Sequence, residues 1–350
     1  MALMPPHRWL CLCLRSGDEH TDELGRVLET GRLNWPGVLY RANQGLVITS
    51  LASTLARRQL LSLVPAEVRD YLSTLLALNT ERNRLLRRHL LHIGERFNRI
   101  GVQPLVLKGA RDLLSDPLEE SQGARLMGDL DLLVPRDSLD ACTELLIAQG
   151  YRPQTGHSWE NHHHTAPLLH STEPVKIELH RHIVYTAWQA LLPTDGAWQI
   201  ARPLTVDGIA LHVLPPTSQA IHLLVHAQLG YYALTHQTLQ LRQMLDLVVL
   251  RHHHEANIDW SLVGQRFQAV GQTNRMMAYL VAAQRLFDQP LPMGFAISPK
   301  VAWQSRQLVL TAQHLAAARW LRRLGRLPRR LLTPSWYPMK IRALQRGMPW

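Results

Sequence analysis

The run Arg125-Leu126-Met127-Gly128-Asp129-Leu130-Asp131-Leu132-Leu133-Val134 decides the fold of this chain. Leu130, Leu132, Leu133 and Val134 make it a strand, bounded by Gly128 and Pro135. Residues i and i+2 of a strand share a face, so Asp129 and Asp131 project together from an otherwise apolar segment. Two like charges held side by side in such a setting need a cation. Mg²⁺ fits, because it takes oxygen ligands and binds through one or two carboxylates together with substrate phosphates.

The flanking segments sharpen this reading. Leu105-Val106-Leu107 is a short apolar strand that runs into Lys108-Gly109 and a helix-like Ala110-Arg111-Asp112-Leu113-Leu114. A glycine at a strand-to-helix turn lets phosphate approach the backbone N–H groups of the helix start, and Lys108 adds a cation there. Downstream, Val175-Lys176-Ile177-Glu178-Leu179-His180 alternates, placing Lys176, Glu178 and His180 on one face. Glu178 is the candidate third carboxylate, and His180 is placed to hydrogen-bond it.

The ordered set of strand, glycine turn, Asp-x-Asp strand and acid-bearing strand resembles the DNA polymerase β-like nucleotidyltransferase superfamily. Within it the chain is similar to the bacterial group known as nucleotidyltransferase family proteins. The resemblance is carried by Leu107-Lys108-Gly109, Arg125, Asp129-Leu130-Asp131, Gly150-Tyr151 and Ile177-Glu178-Leu179-His180. It continues through His222-Leu223-Leu224-Val225-His226-Ala227 and Leu241-Arg242-Gln243-Met244-Leu245-Asp246. It implies an Mg²⁺-dependent transfer of a nucleotidyl group from a nucleoside triphosphate to an acceptor. Asp129, Asp131 and Glu178 would be metal ligands and catalytic residues, with Glu178 the metal ligand or general base. Lys108, Gly109, Arg125, His180 and Arg242 would contact the nucleotide. A tailoring role in a biosynthetic or peptide-modifying pathway follows by analogy. One departure is that the superfamily's usual Gly-Ser after the first strand is replaced by Lys108-Gly109-Ala110, which removes a phosphate-binding hydroxyl. The alternative function is a non-catalytic protein of the same fold that docks an anionic partner. The chain has neither a Walker A nor a Gly-x-Gly-x-x-Gly pattern.

At 350 residues and 46% hydrophobic content the chain is globular. No apolar run approaches the ~20 residues of a spanning helix, and a cytoplasmic location is expected. The three cysteines, Cys11, Cys13 and Cys142, read as small apolar packing residues and not as a disulfide framework. The net charge of +11 is concentrated at one end. No acidic residue follows Asp288, and 11 of the 38 Lys and Arg residues lie from Lys300 to Arg346, leaving 27 basic residues to balance 27 acidic ones. Arg319 to Arg330 is amphipathic and basic, suited to nucleic acid, an anionic membrane surface or an acidic protein.

The expected class is therefore α+β, a nucleotidyltransferase-type mixed sheet core with N-terminal helices and a C-terminal helical region. Its expected divisions are a helical region 1–100, the core 101–214, a helical domain 215–300 and a basic segment 301–350. Residues 1–50 show no clean period, while Leu51 to Ile100 is helical and is expected to pack behind the sheet. Asp207-Gly208 predicts a hairpin, and Thr217 is the expected N-cap of the next helix. Arg242 and Asp246 have the i, i+4 spacing of a surface ion pair. His226 reads as a core residue. Neither His162-His163-His164 nor His252-His253-His254 is expected to converge on one ion. Consecutive side chains alternate on a strand and fan by about 100° on a helix.

Overall fold

The computed structural model describes residues 4–114, 123–155, 159, 162–230 and 239–313. The basic run Arg319 to Arg330 lies outside them. Four helices open the chain: α1 (Pro6–Cys13), α2 (Thr21–Glu29), α3 (Trp35–Gln44) and α4 (Ile48–Arg57). Helix α5 (Ala66–Arg99) follows with 34 residues, which corresponds to about 51 Å of helix.

The sheet has seven strands and is mixed. They are β1 (Leu105–Val106), β2 (Leu130–Leu133), β3 (Tyr151–Pro153), β4 (Leu168–His170), β5 (Lys176–His180), β6 (Arg202–Val206) and β7 (Ile209–Val213), in spatial order β3-β4-β5-β2-β1-β7-β6. β2 runs parallel to β5 and antiparallel to β1, and β1 runs parallel to β7. Helix α6 (Leu139–Ala148) joins β2 to β3, and α7 (Thr194–Ile200) precedes β6. The β6–β7 hairpin turns at Asp207 and Gly208, both at positive φ (51° and 79°), the backbone that an Asp-Gly pair favours. Helices α8 (Pro216–Leu229), α9 (Leu241–His254), α10 (Trp260–Ala269), α11 (Thr273–Phe287) and α12 (Pro299–Gln313) complete the described chain.

Strand alternation divides the interior. Val106, Leu130, Leu132, Ile177 and Leu179 face one core, which they share with Leu86, Leu90, Ile93 and Phe97 of α5 and with α6. Leu105 and Leu133 face a second, helical core. Asp131 and Glu178 lie on that second face, so the sheet presents its charged side chains toward the helices. Helix α5 serves both cores, since its Leu72 belongs to the helical one. It crosses β7 at Gly94, where a Cβ would come within 2.9 Å of Ile209 and 3.0 Å of Leu211.

Several sequence expectations change here. Only the second half of α5 packs behind the sheet. Helices α1 to α4 join the helical core with α8 to α11, so the boundary expected at residue 100 does not separate cores. Within residues 1–50, α1 shows no period because it is enclosed, with every residue from Trp9 to Leu14 buried. Such a helix has no polar face to alternate with. The helix expected after Lys108 is a 3₁₀ segment, Lys108–Leu114. Thr217 does not cap α8; its hydroxyl accepts from Asp259 N–H and donates to the Asn257 carbonyl, tying the start of α10 to α8. Residues from Pro299 to Gln313 are not a free tail, because Val301 is buried and Leu308 and Val309 pack on the helical core.

Candidate active site

β2 and β5 lie in parallel register with Asp131 opposite Glu178 and Leu133 opposite His180. Asp129 immediately precedes β2 on the same face. Lys108, at the end of β1 with a left-handed φ of 49°, reaches across to the same place. Asp129, Asp131, Glu178 and Lys108 all line one cavity of about 300 Å³ between the sheet and helices α8 and α9.

Asp131 is the hub of this group. It is 2% exposed; its Oδ1 accepts from Lys108 Nζ at 2.7 Å and from His180 Nε2 at 2.8 Å. Burial alone would raise its pKa, but Lys108 and His180 more than reverse that and hold it well below the ordinary carboxylate value. Burial likewise opposes the Lys108 charge, and Asp131, Glu178 and Asp129 outweigh it, keeping its pKa above the ordinary value. Lys176 bridges the other two acids, 2.8 Å from Asp129 and 3.0 Å from Glu178, and they hold its pKa up against burial. Three carboxylates thus converge on two ammonium groups. Donor atoms of Asp131, Glu178 and His180 lie within 4.8 Å of one another. An oxygen-rich set of this kind suits Mg²⁺. His180 Nε2, however, faces a carboxylate oxygen and must carry the proton there. This nitrogen therefore orients Asp131 and is not free to ligate.

The helical wall is assembled differently. Arg125 forms a two-pronged pair with Asp246 on α9, Nε–Oδ1 2.8 Å and Nη2–Oδ2 2.9 Å. Burial opposes its charge, but Asp246 and Asp112 hold its pKa above the usual arginine value. The backbone of Arg125 is pinned from α5, whose Asn79 and Asn83 side-chain amides donate to its carbonyl at 3.0 and 3.1 Å. The guanidinium lies over Gly109, where a Cβ would collide with it. Arg242 donates to the Leu126 carbonyl at 3.1 Å. His226 also lines the cavity, and burial depresses its pKa well below the usual histidine value.

The nucleotide contacts expected from sequence are thus placed unevenly. Lys108, Gly109, Arg125 and Arg242 line the cavity, whereas His180 is fully buried. Its hydrogen bond goes to Asp131 and not to Glu178, since register sets Leu133, not Asp131, opposite it. Asp246 pairs with Arg125, not with Arg242, and is only 15% exposed, so the expected surface pair does not form. Gly109 accommodates the Arg125 side chain, a close approach that the sequence assigned to phosphate.

The first histidine tract is closer-knit than strand or helix geometry predicts. One nitrogen from each of His162, His163 and His164 lies within 4.8 Å of the others, and all three line the cavity. The rule failed because His162 and His163 occupy a bend, neither strand nor helix, closed by His162 N–H to the Trp159 carbonyl. His164 then bridges to His180 beside β5. Burial pushes His162 and His164 down to about 4 and His163 lower still. The sequence signals for these placements were the tract itself and, for the Arg125 backbone, the polar Asn79 and Asn83 inside an apolar helical stripe.

A mixed sheet with an Asp-x-Asp strand paired in register to a third acid, facing a helical lobe, defines the nucleotidyltransferase class of fold. The chain belongs to the uncharacterised nucleotidyltransferase family, whose model matches residues 31–288. Among curated proteins no relative matches the chain. Membership supports a nucleotidyl-transfer role in general, and nucleotidyltransferases generally use divalent metals. Among the described residues no helix is long and apolar enough to cross a membrane.

Proposed function

We propose that this protein is an Mg²⁺-dependent enzyme that transfers a nucleotidyl group from a nucleoside triphosphate to an acceptor, with the cavity between sheet and helices as its active site. The observation that carries this reading is the in-register pairing of Asp131 with Glu178, with Asp129 and Lys108 on the same face. Asp129, Asp131 and Glu178 would hold Mg²⁺, which when bound neutralises triphosphate charge and lowers the pKa of the acceptor. Arg125 and Arg242 supply positive charge on the opposite wall for the phosphates. Lys108 balances Asp131 and sits beside the entering triphosphate. Glu178 orients the acceptor and takes its proton on a carboxylate oxygen. His180 fixes the Asp131 carboxylate, so that one metal-facing oxygen is preorganised. Catalysis in this reading is mostly in-line positioning and charge stabilisation.

The test is ligand-linked stability. Mg²⁺ with the correct nucleoside triphosphate at a hundred times its Kd should add about 2.7 kcal/mol to native stability. The Asp129→Asn/Glu178→Gln protein should lose that increment while remaining folded. Both carboxylates share Lys176, whose side chain is 32% exposed and can turn to solvent, so no buried cation is stranded. An equal increment in both proteins would place the nucleotide elsewhere. Incubation with cell extract and mass analysis of the products would then identify the acceptor.

A further inference from the structure

The carboxylate cluster does not account for the imidazoles beside it. His164 Nδ1 lies 2.6 Å from the Thr165 carbonyl oxygen, which can only accept, so this nitrogen carries the ring proton. His164 Nε2 then presents a lone pair, 3.4 Å from Glu178 Oε2, which is also an acceptor. Two acceptors that face one another at this distance require either a proton or a metal ion between them. His163 is 7% exposed, and its Nδ1 is buried with no hydrogen-bond partner among the described residues; His162 Nδ1 is in the same state. Buried polar atoms in native proteins are nearly always satisfied, so orphans in one cavity wall point to a missing ligand.

We propose that His162, His163 and His164, with Glu178 alongside, form a second cation site in the cavity that takes a nitrogen-preferring transition ion such as Zn²⁺. The site is distinct in chemistry from the oxygen set of Asp129 and Asp131, and it stands whether or not the chain transfers nucleotides. Imidazole nitrogen suits Zn²⁺, Cu²⁺, Fe²⁺ and Ni²⁺, whereas Mg²⁺ selects oxygen. The nitrogens lie within 4.8 Å of one another. Ligand nitrogens around one tetrahedral zinc ion stand roughly 3.3 Å apart, so ring rotation that draws the three imidazoles inward closes the set. The backbone is already fixed for this: the His163 carbonyl accepts from the N–H groups of both Arg181 and His182, at 3.0 Å each. Glu178 would be shared between the two sites, placing a transition ion next to the acceptor's base.

Co²⁺ is the probe, because its visible spectrum reports nitrogen ligation. Untagged, metal-free protein carrying His252→Ala, His253→Ala and His254→Ala, which removes the other tract, is titrated with Co²⁺. One equivalent should bind with a ligand-field spectrum of nitrogen-bound cobalt. Replacing His162, His163 and His164 by Ala in that background should weaken binding by more than the roughly 10–100-fold typical of losing an outer-shell partner. Asp129→Asn should leave the cobalt spectrum intact while removing the Mg²⁺-nucleotide stabilisation, so the two assignments fail separately. Should the triple-alanine protein not fold, X-ray absorption of cobalt bound to the protein that retains His162 to His164 decides instead. Imidazole scattering supports the site, and an oxygen-only shell overturns it. Failure to bind one equivalent also overturns it, leaving a protonated His164 as the partner of Glu178.

Discussion

The two walls of the cavity are built by different means. The sheet wall takes Asp131 and Glu178 from neighbouring strands in register, each held by local alternation and by partners on the same sheet. The helical wall takes Arg125 from a loop, Asp246 from α9 and Asn79 and Asn83 from α5, joined across 121 residues in the case of Arg125 and Asp246. The sheet wall therefore depends on strand pairing, and the helical wall depends on docking one core against the other.

The strongest test of this contrast is Asp131→Asn. It leaves Lys108 and His180 around a neutral amide in a buried position, and loss of about 3–5 kcal/mol in denaturant unfolding is expected. A loss below about 1 kcal/mol would mean that the hub is not electrostatic. Next is the helical wall. Asp246→Asn should lower stability by about 2–3 kcal/mol, because the Arg125–Asp246 pair is mostly enclosed and charge-assisted. A double-mutant cycle with Arg125→Met should return a coupling energy of at least ~1 kcal/mol, and additivity would show that the pair does not join the walls.

Acid titration should separate the buried histidines from the Asp131 hub by pH. Burial depresses His222, on α8, to about 3, so the native state resists a proton that the unfolded chain takes below its ordinary value of about 6.5. Stability from this group is complete above that pH and is lost as pH falls, by up to about 1.4 kcal/mol per pH unit. Asp131 has the opposite chemistry, with a depressed carboxylate pKa. Its contribution is intact above about pH 4 and fades only below that. Stability to denaturant should therefore weaken from pH 7 to 5, and His222→Gln should reduce that slope while Asp131→Asn should not. Gly109→Ala should lower stability by about 1–2 kcal/mol, because the new methyl displaces a guanidinium tied to Asp246. That loss should vanish in the Arg125→Met background. The smallest effect is expected from truncation after Gln313, which keeps every described residue of both walls and should leave nucleotide-linked stabilisation unchanged. Truncation after Gln289 removes α12 from the helical core and should destabilise the protein.

What was legible in the sequence follows the same division. The alternation of Leu130 to Val134 and of Lys176 to His180 gave the strands and the face that carries the acids, because period-2 patterns are local. The Asp207-Gly208 turn was legible for the same reason. The partner of Asp246 was not, since i, i+4 spacing points to Arg242 while tertiary docking supplies Arg125. Helix α1 was hidden by complete burial, which erases its period. The histidine tract was misread because a bend obeys neither strand nor helix geometry.

The enclosure of α1 also sets an order of assembly. Trp9 and Leu10 share a core with Tyr279, Leu280 and Phe287, nearly the full described length of the chain away. The sheet's other core draws on residues from Leu86 to Val213 and can close without either end. On a ribosome, the sheet layer can collapse while α1 still waits for partners not yet synthesised. Loop-closure entropy makes that late docking the slow step. Until then the apolar run from Trp9 to Leu14 remains uncovered, a segment for chaperones to shield.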